Sequence, residues 1–261
     1  MPRLWPQVRE TADVRKGLVL DLSFDWGDTS TTAFDRSGYG NHARIYGATW
    51  QDSPLGRTLF HDSVDDYTVI TPFTVYGWNE ITIAEWIYPY WPKANTSWSK
   101  FSMIGDYTID YPSTFFGTDN RTDYTYLHVT WTTRKPDGTR GYYYWEVFGY
   151  RNTWVHVVRR FTEDREISFW VNGVKKYTAT VPVEEKTVLE WNPDTATYPE
   201  RYRRFVLGAN TVLGERMKVS YKSLRIYDRA LSENEIKRLY VLTRPRPWPR
   251  ISAPLVQWGS H

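Results

Sequence analysis

The sequence predicts an all-β protein: an antiparallel two-sheet sandwich with one short C-terminal helix and extended terminal arms. Three observations carry this expectation. Apolar residues recur with period two in segment after segment. Gly, Pro and Asn punctuate the gaps between those segments. The period changes to that of a helix once, late in the chain. A chain of 261 residues is long enough for one large β domain with a substantial core.

The elements follow in order. "GLVLDLSFD" puts Leu18, Leu20, Leu22 and Phe24 on one face. "DDYTVITP" repeats the alternation and stops at a proline. In "EITIAEWIYPYW", Ile81, Ile83, Glu85 and Ile87 share one face and Thr82, Ala84, Trp86 and Tyr88 the other, as in a strand inside a sandwich. "YTYLHVTWTT", "GYYYWEVFGY", "WVHVVRRFT" and "EISFWVNGVKKYTATVP" come at the spacing of an antiparallel meander. "KPDGTR" reads as a hairpin turn built on Pro136, Asp137 and Gly138, and "VNGVK" as an Asn-Gly turn. "RRFVLGAN" and "YKSLRIYD" bring the total to about ten strands. The period then shifts in "LSENEIKRLYVL", where Ser232 can cap, Glu235 completes a capping box, and Ile236, Leu239 and Tyr240 share a face.

The ends differ from the body. "PRLWPQVRE" and "TRPRPWPRISAPLVQWGSH" are too rich in proline for helix or central strand and read as extended arms. The expected organisation is an N-terminal arm over 1–16, a sandwich over 17–242 and a Pro-rich arm over 243–261. Trp5, Trp248 and Trp258 are the arms' candidate contact anchors.

Composition excludes several classes. Lys and Arg (33) nearly balance Asp and Glu (30) without gathering in one block, which argues against nucleic acid as a partner. The absence of cysteine removes disulfides, thiolate nucleophiles and Cys-built zinc sites. No run of apolar residues reaches membrane-spanning length, and "MPRLWPQVRETADVRKG" has no apolar signal core. The 14 Trp and 20 Tyr suit both a sandwich core and a contact surface.

"GLVLDLSFDWGDTSTTAFDRSGYGNHARIYGATW", "VDDYTVI", "ITIAEWIYP", "WVHVVRRFTEDREISFWVNGVK" and "SLRIYDRALSENEIKRLY" together resemble laminin-G-like domains of the concanavalin A-like lectin/glucanase superfamily, from about Gly17 to Tyr240. The resemblance implies a jelly-roll sandwich, often a non-catalytic glycan- or protein-binding module, and often a structural calcium. In "AFDRSGYGNHA" an Asp35 carboxylate, an Asn41 amide oxygen and carbonyls turned by Gly38 could form an oxygen shell for calcium, with Asp65 of "HDSVDDY" as a further ligand. Alternatively, Asp35 and Asn41 close an Asx turn, and Asp62, Asp65 and Asp66 form a polar lead-in to a strand. Two departures from the family weaken the metal reading: Ala43 stands where relatives have glycine, and Lys222 and Ser223 where they commonly have an acidic pair.

Glucanases of that superfamily carry their acids as E-x-D-x-E on one strand, a triplet missing here. Glu85 and Glu146 each stand alone in aromatic strands, and a lone buried Glu is usually paired with an Arg or exposed at an edge. The histidines fall into no ligand spacing, and His156 reads as an outward or half-buried strand position. The expectation is a protein that is not an enzyme.

Contact residues are expected in proline-rich loops: Tyr90, Trp91 and Trp98, then Tyr107, Tyr111 and Phe115, and Trp191. Trp86, Trp131, Trp145 and Trp170 belong to the core. Two functions follow. One is a structural or attachment component of a particle such as a virion, or of a cell surface, whose arms contact neighbours or further copies. The other is a calcium-assisted module recognising a polysaccharide. Either fits a particle-surface or extracellular location, reached without a classical signal peptide after cytoplasmic synthesis.

Overall fold

The computed structural model describes residues 12–25, 27–53, 56–90, 99–106, 112–118, 127–147, 149–150 and 152–244. Among the described residues, sixteen strands form two antiparallel sheets. Those of the first sheet are β1 (Leu18–Leu22), β4 (Thr49–Ser53), β5 (Gly56–Asp62), β7 (Ile81–Pro89), β12 (Val155–Phe161), β13 (Glu166–Val171), β14 (Val174–Thr180) and β16 (Lys218–Tyr227). Those of the second are β2 (Thr32–Ala33), β3 (Ala43–Tyr46), β6 (Tyr67–Ile70), β8 (Ser99–Gly105), β9 (Ser113–Thr118), β10 (Leu127–Arg134), β11 (Arg140–Val147) and β15 (Phe205–Leu207).

The first sheet runs β14-β13-β12-β7-β16-β5-β4, and the second β11-β10-β9-β8-β15-β6-β3-β2. One edge of β16 serves two partners in the first sheet. Lys218 to Tyr221 pair with β5, and Leu224 to Tyr227 with β1. On the β7 side, a bulge interrupts the register between Tyr221 and Ser223.

The core lies between the sheets. Leu20, Leu59, Ile83, Ile87 and Phe169 of the first meet Phe101, Phe116, Val129, Trp131 and Phe205 of the second. Period two dictates this, because residues alternate between the buried interlayer and the outer face. Glu85 occupies a core position, and burying its charge requires a partner. The Arg159 guanidinium pairs with it, and Ser102 donates to the same oxygen at 2.6 Å.

A helix, α2 (Glu233–Thr243), crosses the outer face of the first sheet; a single turn, α1 (Pro199–Tyr202), precedes β15. The capping box at Ser232 and Glu235 forms as the spacing predicts. Leu231, Ile236 and Leu239 pack on Leu18, Ala84, Val158, Trp170 and Tyr227. Tyr240 stacks on Trp86 at 5.6 Å. His156 lies beneath this helix and is buried, where the sequence pointed to an outward or half-buried position. Its strand does turn outward there; the helix supplies the cover.

Both predicted turns form. In "KPDGTR" the Gly138 amide donates to Lys135 at 3.0 Å, and in "VNGVK" Asn172 and Gly173 both take the positive φ of a tight hairpin. The strand count was underestimated. β8, left largely unassigned by the sequence pattern, and β9, placed there in a proline-rich loop, are buried on both faces, so no period-two contrast marks them. Phe115, expected in such a loop, is a buried residue of β9.

Candidate functional site

The helix covers only part of the first sheet's outer face. Beside it β7, β16, β5 and β4 leave a cleft of about 440 Å³. Directly opposed residues in an antiparallel pair share a face. Ser220 is opposite both Tyr88 and Phe60, and Thr58 is opposite Gln51. The register therefore gathers these side chains on one outward surface.

One wall is aromatic. Tyr88 lies 4.9 Å from Tyr90 and 5.6 Å from Trp154, and Tyr90 meets Phe60 edge-on at 5.3 Å. The Tyr90 hydroxyl is 3.2 Å from Ser220 Oγ. Lys218 sets its ammonium 5.6 Å from the Tyr90 ring. Burial, with Tyr90 alongside, raises the Tyr88 phenol and keeps it a proton donor.

The other wall is polar: Gln51, Asp52 and Ser53 of β4, with Thr58. Thr58 donates its hydroxyl to the Gln51 carbonyl at 3.2 Å. The Gln51 side-chain amide and the Tyr88 hydroxyl have no hydrogen-bond partner among the described residues, so they remain available to a ligand; Asp52 is opposite Arg57, and its side chain alternates to the other face of β4. Flat aromatic faces beside amide and hydroxyl groups suit a saccharide, whose ring has an apolar C–H face and a polar rim. Among the described residues, Asp52 is the one acidic residue at the cleft.

Of the expected contact residues, Tyr90 is in the cleft. Trp191 is half-buried and packs against the core. Trp91, Trp98, Tyr107 and Tyr111 lie outside the described residues, as do the arm anchors Trp5, Trp248 and Trp258. Trp86, Trp131 and Trp170 are buried as expected, and Trp145 is half-buried against the core. Sequence reasoning missed Tyr88, Trp154, Gln51 and Asp52. The legible signal was "YPY", whose tyrosines two apart must share a face.

The calcium ligands are not brought together. Asp35, Gly38 and Asn41 precede the Ala43 end of β3, which pairs with Ile70. Asp65 precedes Tyr67, which pairs with Tyr46 at the other end. About 10 Å of ladder separates the two groups. Asp35 Oδ1 accepts from the Asp21 and Ser37 amides, each at 2.9 Å. Its Oδ2 accepts from Ser37 Oγ at 2.7 Å and the Asn41 amide at 2.9 Å. Asn41 Nδ2 donates to the Val19 carbonyl. Such a carboxylate closes a turn and would have to give up local donors to hold a cation, so the set does not fit calcium.

Asp65 sits with Asp62 and Asp66, their ligand atoms within 4.8 Å. Asp66 accepts from the Asp62 amide, and Asp62 from the Val64 amide, each at 2.7 Å. Lys222 donates to the Arg57 carbonyl at 2.9 Å, and burial lowers its pKa.

No family profile matches this chain, and no curated protein matches it. Solved structures do. The botulinum neurotoxin serotype D binding domain is similar with a TM-score of 0.63 at 13% identity, over 87% of this chain and 52% of that one. The binding domain of Paraclostridial Mosquitocidal Protein 1 gives 0.59 at 15%, over 87% and 52%. The serotype D ligand binding domain in complex with N-acetylneuraminic acid gives 0.62 at 14%, over 87% and 51%. This chain spans about half the length of each. What the likeness establishes is the fold: a β-sandwich shared with these binding domains.

Proposed function

We propose that this protein is a non-catalytic, lectin-like sandwich that acts by contact, holding a saccharide in the cleft of Tyr88, Tyr90 and Trp154. The observation that carries this reading is the pairing of that aromatic wall with the unpartnered Gln51 side chain and Tyr88 hydroxyl. Several structures of similar fold are described as receptor- or ligand-binding domains, one in complex with N-acetylneuraminic acid, which accords with a binding role. The laminin-G-like motifs support the same class. Calcium forms no part of this reading, since the Asp35 carboxylate is already engaged by four donors.

Surface attachment is the biological role that such a module would serve, at a cell or particle surface. Among the described residues no helix is long and apolar enough to cross a membrane. A role in particle assembly would rest on the terminal arms.

The test is a glycan array followed by titration calorimetry on the best ligand. Trp154→Ala and Tyr88→Ala should each weaken binding about tenfold or more, the loss of one stacking face. Gln51→Ala should weaken it less. A blank array, or variants that bind as the parent does, would refute the reading.

A further inference from the structure

The outer face of the second sheet carries another hollow, of about 420 Å³. Its apolar side includes Val69 and Leu213, part of a small cluster with Val206 and Ala209. Tyr46 and Tyr67, opposed across β3 and β6, stack along it at 4.6 Å with their planes 18° apart. The facing wall is the segment 199–204, with Glu200, Arg203 and Arg204.

The guanidiniums there are not equivalent. Arg201 is held by Asp106 at 2.8 Å, with Glu200 3.9 Å from its Nε. Arg203 pairs with Asp194 at the surface. Among the described residues Arg204 has no carboxylate in hydrogen-bond contact; its Nη2 donates to the Thr211 carbonyl, and its buried Nε has no partner there. Burial lowers its pKa, with Glu200 opposing the shift, so this cation has lost water without gaining a bonded anion. Arg44 adds to it. Exposed on the same face as Tyr46 and opposite Val69, it forms no ion pair among the described residues. Arg44, Arg201, Arg203 and Arg204 thus stand against Glu200, Asp106 and Asp194, leaving one positive charge in excess beside Tyr46 and Tyr67.

We propose that this hollow is a second saccharide seat selective for an acidic sugar, the ring lying against Tyr46 and Tyr67 and the carboxylate drawn to Arg204 and Arg44. A guanidinium fork matches a planar carboxylate with two parallel hydrogen bonds. The stacked tyrosines supply the apolar platform a pyranose face requires, and the volume is that of a small-ligand site rather than of an extended peptide groove. This inference goes beyond the cleft reading and does not depend on it, for the two hollows share no residue.

The experiment is calorimetric titration of the full chain with sialic-acid-terminated and uronate trisaccharides, each beside its carboxyl methyl ester. At least one acid should bind about tenfold tighter than its ester, the expected loss when a charge-assisted contact is removed. Arg204→Gln and Arg44→Gln should each raise that Kd about fivefold or more, with thermal unfolding as the folding control. If Arg204→Gln is misfolded, the exposed Arg44→Gln carries the test. Failure of every acid to bind, equal affinity for acid and ester, or variants that bind as the parent would each overturn the proposal. Loss of neutral-sugar binding alone would count against the first cleft and leave this seat standing.

Discussion

At the residue scale the most consequential pair is Glu85 and Arg159, both essentially inaccessible to water. Removing one partner strands a buried charge, whereas replacing both by apolar residues of similar volume need not destabilise. Arg159→Met should therefore cost about 3–5 kcal/mol in urea unfolding, and Glu85→Leu added to it should recover much of that loss. The sequence showed that Glu85 faces inward and that a lone buried Glu usually finds an Arg. It could not show which Arg, because pairing across 74 positions is set by the register of β12 on β7. The same limit hid the binding groups: Gln51 is an ordinary polar residue until strand order places it beside Tyr88 and Trp154. Asp35 was legible as an Asx turn, because its donors lie mostly within a few residues.

At the element scale, α2 was the most readable feature, since its cap and its apolar face are both local. Ser232 accepts from the Glu235 amide, and the Glu235 side chain accepts from the Ser232 amide at 2.8 Å. Arg229 grips the same carboxylate and, as the leading cause, lowers its pKa to about 2. Ser232→Ala should lower stability by about 1 kcal/mol, measured by chemical denaturation. Strands were harder to read. β7 was recognised because period two survives over nine residues. β4 and β5 passed unnoticed, because β4 is a polar edge strand and the alternation of β5 is broken by Arg57 and His61. His61 faces the interior, buried and bonded to Thr68 at 3.0 Å.

At the scale of the whole molecule, two buried histidines couple stability to pH. Loss of water pushes His61 and His156 down to about 3. Unfolded, both take protons near pH 6.5; folded, they stay neutral. Their contribution is thus fully present above about pH 6.5 and is lost as the pH falls toward 3, by about 1.4 kcal/mol per unit for each histidine. The melting temperature should drop steadily between pH 6.5 and 4.5, and His156→Gln should reduce that slope by about half.

The sandwich has two outer faces, and each carries a hollow. They open in opposite directions, so a short oligosaccharide seated in one cannot bend round to reach the other. With both seats filled, a single copy is a rivet: it ties together two polymers instead of clasping one. Mixed with long chains bearing neutral and acidic sugars, it should produce turbidity that a short competitor for either seat dissolves, because avidity collapses once one end of the tie is released.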